Sequence, residues 1–141
     1  MKLTLSILFF ITAISFGSCQ NSESTPEAVK QTFQEKYPGE NDPDWHTDAH
    51  GNWEANFKKK GEKYRADFKP NGDWIETENS IKDSELPQAI KDKIKELYPD
   101  REITEVERVE SASKGVFYDV EFKQKGKNMD VEFDSEGNIL H

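Results

Sequence analysis

Apolar positions along this 141-residue chain change period twice, in the same order each time. From Pro26, PEAVKQTFQEKYP sets Ala28, Val29, Phe33 and Tyr37 near one face of a helix. From Leu86, LPQAIKDKIKELYP does the same with Ala89, Ile90, Ile94, Leu97 and Tyr98. Ser24 or Thr25 is expected to cap the first helix, with Pro26 at its first position and Glu27 in its first turn; Ser84 is expected to cap the second. Pro38 with Gly39, and Pro99, mark the ends.

After each helix the period shortens to two. WEANF puts Trp53, Ala55 and Phe57 on one face and Glu54 and Asn56 on the other, and KYRADF does so with Tyr64, Ala66 and Phe68. Tyr118, Val120 and Phe122 match the first of these strands, and Met129, Val131 and Phe133 the second. Gly61 and Gly126 fall between paired strands, where a tight hairpin needs positive φ, and Gly72 and Gly137 mark the following turns. An earlier strand in each half, near Asp44–Thr47 and Ile103–Val109, aligns Trp45 with Val106. The offset between halves grows from 61 to 65 residues, which places a four-residue insertion near ESASKG.

This pattern predicts an α+β chain of two tandem repeats, each one helix plus a four-stranded antiparallel sheet, with the helices packed on one sheet face. Residues 26–78 form the first repeat, 79–85 a linker and 86–141 the second, all within one domain over 26–141. A single copy makes a thin core at about 55 residues, so the copies are expected to abut.

The first residues belong to a different argument. Lys2 precedes an apolar run from Leu3 to Phe16, about 21 Å of helix at 1.5 Å per residue, short of the roughly 30 Å of bilayer hydrocarbon. That length predicts a signal peptide over residues 1–18 rather than a membrane span. Gly17 and Ser18 before Cys19 look like a bacterial lipobox, although Phe16 stands where leucine is commonest. Cys19 is the one cysteine, so no disulfide can form within the chain, and lipidation at Cys19 is the expected use of the thiol. The alternative is an ordinary cleavage site. Buried acyl chains, at roughly 0.8 kcal/mol per CH2, give stable anchoring once there are two or more. Residues 19–25 then read as a lipidated cysteine and polar tether. The expected location is the cell envelope, on the periplasmic side of a membrane, because only Glu23 supplies an acid just after Cys19.

Lys and Arg number 19 against 28 Asp and Glu, and loss of residues 1–18 removes Lys2 alone, leaving a net charge of −10. An acidic chain argues against nucleic acid, which needs a basic face, and against adhesion of the protein surface to anionic lipid.

The paired Tyr-Pro stops with GNWEANF, YRADFKPNGDWIETE, LPQAIKDKI and DVEFDSEGNIL resemble the PepSY-like, beta-lactamase-inhibitor-like family of secreted Bacteroidetes proteins, over Pro26 to Leu140. The resemblance implies an exported α+β protein of helix-plus-sheet repeats, related in fold to an inhibitor that grips an enzyme with its sheet. It implies no catalytic residue.

Candidate chemistry is sparse. Trp45, Trp53 and Trp74 could bind carbohydrate or a partner, but they align with Val106, Tyr118 and Ile139, which points to core. WHTDAH sets His46, Asp48 and His50 at alternate positions, a possible zinc set unless the turn at His50-Gly51 breaks the strand. Asp42–Asp44 and Asp134–Asn138 resemble fragments of calcium loops without the full ligand spacing, and turn chemistry accounts for them. No nucleophile-and-base motif, phosphate loop or dinucleotide fingerprint occurs, so neither an enzyme nor a cofactor is expected.

The expectation is a non-enzymatic binding module tethered to the envelope, holding a protein by its exposed sheet face or loops and possible as an inhibitor. The outward residues Glu54, Asn56, Arg65, Asp67, Asp119, Glu121, Asp130 and Glu132 are mostly acidic and would suit a basic partner surface. The plain alternative is a solvated face. A small-ligand carrier or sensor, and a structural envelope lipoprotein, remain open.

Overall fold

The computed structural model describes residues 24–140; residues 1–23, with the expected signal segment and Cys19, lie outside them. Helix α1 spans Glu27–Lys36. Strands β1 (Asp44–Thr47), β2 (Trp53–Lys59), β3 (Glu62–Phe68) and β4 (Trp74–Ser80) follow. A 3-10 turn at Asp83–Glu85 leads into α2, Gln88–Leu97. Strands β5 (Ile103–Ser111), β6 (Gly115–Phe122) and β7 (Met129–Phe133) complete the described chain.

The strands form one seven-stranded antiparallel sheet in the order β1-β2-β3-β4-β5-β6-β7. This corrects the expectation of two repeats that each carry a helix and a four-stranded sheet. Two causes are visible. The far edge of β4 is taken by β5, from Glu76 opposite Ser111 to Ser80 opposite Glu107, so there is no boundary between sheets. After β7 the chain makes a tight turn and returns as a single bridge, Phe133 to Ile139, with Leu140 N–H donating to Glu132 O at 2.8 Å. Ile139 and Leu140 stay 45 % and 38 % exposed, so the return buries too little apolar surface to extend into a strand. Asn79 and Ser80, read from the sequence as linker, are strand residues that help join the halves.

Both helices pack their apolar stripe on the same face of the sheet. Val29, Phe33 and Tyr37 cluster with Trp53, Ala55, Phe57, Ala66 and Phe68, and Trp45, Tyr64 and Trp74 flank them. Leu86, Ile90 and Ile94 cluster with Val106, Val120, Phe122, Val131 and Phe133. The tryptophans thus serve packing, Trp53 fully and Trp45 and Trp74 in part. Leu97, expected on the α2 stripe, is 46 % exposed. The caps also differ from expectation. Pro26 and Pro87 occupy the N-cap positions and no side chain caps either helix. The proline carbonyls instead accept the first turns, Pro26 from Val29 and Lys30, Pro87 from Ile90 and Lys91.

Gly72 and Gly137 tie the sheet to the helices. Each has positive φ, +95° and +83°, and a Cβ there would lie 2.8 Å from the backbone oxygen of Ala28 or Ala89. Only glycine allows both that backbone shape and that approach.

Candidate functional site

The face of the sheet away from the helices carries the charged half of every alternating strand. Register stacks these residues into rows across the sheet. Glu54, Asp67 and Glu76 stand side by side on β2, β3 and β4, and next to them Asn56, Arg65 and Glu78. Across the β4–β5 seam, Glu107, Asp119 and Glu132 form a row on β5, β6 and β7, and Glu105, Glu121 and Asp130 form another. The sheet therefore brings onto one face all eight residues expected from the sequence to point outward, and adds Glu76, Glu78, Glu105 and Glu107. The missed four were signalled by the Glu-Thr-Glu and Glu-Val-Glu alternations in IETEN and TEVERV.

Like charges directly opposite one another destabilise a sheet, so the countercharges matter. Arg65 Nη2 lies 2.6 Å from Glu78 Oε2, and Arg65 Nε lies 3.6 Å from Asp67 Oδ2. Lys114 reaches from the β5–β6 turn to Glu132 at 2.7 Å, with its ammonium 5.0 Å above the Phe117 ring. Lys127 approaches Asp130 at 3.7 Å. Lys58 and Lys63, opposite each other on β2 and β3, continue this face beyond Asn56 and Arg65. Among the described residues the ten carboxylates in these rows outnumber such cations.

Asp67, Glu76 and Glu78 are the tightest group, with carboxylate oxygens within 4.8 Å of one another. Two ionised oxygens at that distance repel by roughly 3 kcal/mol at an effective dielectric of about 20. Glu78 is only 9 % exposed, and its partner on β5 is the buried apolar Val109, which itself stands opposite Phe117. Burial pushes the Glu78 pKa up to about 7; Arg65 opposes the shift, and Glu107, Glu76 and Asp67 add to it. Burial likewise raises Asp67 to about 6 against the pull of Arg65, helped by Glu54, Glu76 and Asp48. Glu107 is raised by burial and by Glu105, and Asp119 by burial and by Asp130 and Glu132. Burial works against the Arg65 charge, yet Glu78, Asp67, Glu54 and Glu107 outweigh it and its pKa is raised. Glu121 differs: Thr104 donates to it, Asn128 Nδ2 donates at 2.8 Å, and its pKa is lowered.

The residues considered for zinc are placed otherwise. His46 lies on β1 opposite Glu54, its Nε2 3.1 Å from Asp44 Oδ2. Asp48 is occupied by its own turn, accepting His50 N–H at 2.7 Å, Asn52 N–H at 2.8 Å and Asn52 Nδ2 at 2.9 Å. Among the described residues the set drawn together as possible ligands is Asp67, Glu76 and Glu78, and not His46, Asp48 and His50. Asp134 repeats the Asp48 arrangement, accepting Glu136 N–H, Asn138 N–H and Asn138 Nδ2. Turn closure thus uses the oxygens of the calcium-like fragment.

A surface cleft of about 500 Å³ lies where α2 ends, lined by Leu86, Ile94, Tyr98 and Ile103 with Lys91, Lys95 and Arg101. Among the described residues no helix is long and apolar enough to cross a membrane.

A family model described as "Putative beta-lactamase-inhibitor-like, PepSY-like" matches residues 45–141. Three solved structures share the fold. A DUF2874 family protein from Bacteroides ovatus is 21 % identical, with a TM-score of 0.76 over 84 % of this chain and 86 % of its own. A "putative periplasmic" protein from Bacteroides eggerthii is 18 % identical, with a TM-score of 0.75 over 84 % and 87 %. A BLIP-like protein from Bacteroides fragilis is 22 % identical, with a TM-score of 0.74 over 84 % of each chain. At these identities the likeness is one of fold. No curated protein matches.

Proposed function

The chain belongs to the PepSY-like, beta-lactamase-inhibitor-like family, and from that premise we propose that it is a non-enzymatic binding module that holds a basic protein surface against the open face of its sheet. The family is inhibitor-like. One observation carries the finer reading: among the described residues ten carboxylates stand in cross-strand rows on one face, with Arg65 drawn into their centre and Lys58, Lys63, Lys114 and Lys127 at the margin. A partner that brings lysine or arginine relieves repulsion already present in the free protein, and complementary charge both steers encounter and selects the partner. The role is that of an inhibitor if the surface held is the rim of an enzyme's active site. A lipid on Cys19 would tether the module within the envelope, and the similar Bacteroides eggerthii protein described as periplasmic supports that compartment.

The test is affinity capture from envelope extract with the wild-type protein and with a variant carrying Glu54→Lys, Asp119→Lys and Asp130→Lys. Captured proteins lost both in the variant and at high salt support the reading. Capture indifferent to both changes overturns it. Purified captures that are enzymes are then assayed for inhibition.

A further inference from the structure

We infer that Glu78 and Asp67, gathered about Arg65 at the centre of the open face, make docking proton-controlled: the face holds a basic surface tightly when these acids are ionised and lets it go when they are protonated. The inference deepens the proposed function and rests on it.

Geometry sets up the control. Arg65 supplies one positive charge to three carboxylates whose oxygens lie within 4.8 Å. One ionised acid is balanced, and the next is not. Glu78 is further cut off from water by its place in the central β4, between β3 and the apolar Val109 of β5. A buried acid with a charged acid beside it holds its proton to higher pH. The groups facing the pair all push in the same direction except Arg65: Glu54 from β2, Glu76 from β4, Glu107 from β5 and Asp48 from the β1–β2 turn. Asp119 on β6 acts one strand further, through Glu107. The upward shifts to about 6 for Asp67 and about 7 for Glu78 agree with this arrangement. A cation from a partner adds what Arg65 cannot supply alone, so docking expels protons, and by linkage docking strengthens as pH rises. His46, on the same face beside Glu54, serves as the control.

The experiment is calorimetric titration of the protein with hexalysine at pH values from about 5 to about 8 and constant ionic strength, in two buffers of different ionisation enthalpy. Binding should be about tenfold or more tighter at the upper pH, with proton release near neutrality, since one pKa unit carries a factor of ten. Glu78→Gln and Asp67→Asn should each flatten the pH dependence, while His46→Gln keeps it. Two acid variants are used so that a folding defect in one, seen by circular dichroism, leaves the other to decide. Equal affinity across the range, or an unchanged slope in the acid variants, overturns the inference and leaves the proposed function standing. Absence of hexalysine binding at every pH overturns the proposed function and the inference together.

Discussion

Arg65 and Glu78 stand directly opposite each other on β3 and β4, Nη2 to Oε2 at 2.6 Å, on the face that no helix covers. Their pairing does not make Glu78 a strong acid. Burial outweighs the guanidinium, so Arg65 holds a carboxyl that still keeps its proton to about neutral pH.

Removing that cation should therefore be costly in a pH-dependent way. Arg65→Met leaves Asp67, Glu76 and Glu78 facing one another without relief. Loss of one partner of a buried pair costs several kcal/mol, but the Arg65 side chain is 42 % exposed and solvent screens part of it. The expected loss is about 1–2 kcal/mol near pH 7.5 and much less near pH 5, where Asp67 and Glu78 are neutral. Urea unfolding at the two pH values measures it; equal losses at both would contradict the account.

Stability of the wild type should itself fall as pH rises through neutrality. An acid whose pKa is raised by folding holds its proton more tightly in the folded state. Its contribution is full below the unfolded value and is lost as pH climbs through the folded one. For Glu78 the window runs from 4.5 to about 7, and for Asp67 from 3.8 to about 6. Asp48 and Asp134, held low by Asn52 and Asn138, act in the opposite sense and lose their contribution as pH falls through the carboxylate range. The melting temperature should peak near pH 5 and decline toward pH 8, and Glu78→Gln should remove the larger part of the decline. A steady rise over that range would refute the assignment.

Much of this was legible before any coordinates, and the failures have physical causes. Period-two alternation in WEANF and YDVEF placed Glu54, Asn56, Asp119 and Glu121 on the open face because each strand buries apolar residues on the other. IETENS gave no such contrast. Its helix-side positions are Thr77 and Asn79, polar yet buried, so the end of the central strand at Asn79 and Ser80 looked like linker. DSEGNIL carried a turn signal that held, but a turn does not guarantee a following strand, and Ile139 and Leu140 found too little surface to cover. The helix caps failed because proline carbonyls at Pro26 and Pro87 perform the task expected of serine and threonine side chains. Elevated acids cannot be read from a sequence at all, since they depend on which strands become neighbours.

Glycine substitution separates backbone strain from collision. Gly51 and Gly72 both have positive φ, +83° and +95°, but a Cβ at Gly51 meets nothing within 4 Å, whereas one at Gly72 meets Ala28 O at 2.8 Å. Gly51→Ala should cost about 1 kcal/mol, the conformational part alone. Gly72→Ala should cost about 2–3 kcal/mol, because α1 must also move off the turn. Denaturant midpoints of the two variants test the difference, and equal values would mean that α1 yields freely.

Tyr37 offers the clearest test of how α1 is fixed to the sheet. Its ring lies 5.1 Å from Phe33 and 4.8 Å from Phe57, and its hydroxyl bonds Thr77 on β4, which also accepts from Trp74 Nε1 at 3.0 Å. Burial drives the phenol pKa up to about 12, so the hydroxyl stays neutral and able to donate at any physiological pH. Tyr37→Phe keeps the ring and removes only the hydroxyl. It should cost about 1 kcal/mol, because Trp74 still serves Thr77. Phe33→Ala removes the ring at the centre of the cluster, in contact range of Tyr37, Trp45, Phe57 and Phe68. The expected cost is about 3–5 kcal/mol. If the hydroxyl rather than the packed rings fixed the helix, the order of the two losses would reverse, and unfolding of the two variants side by side decides between them.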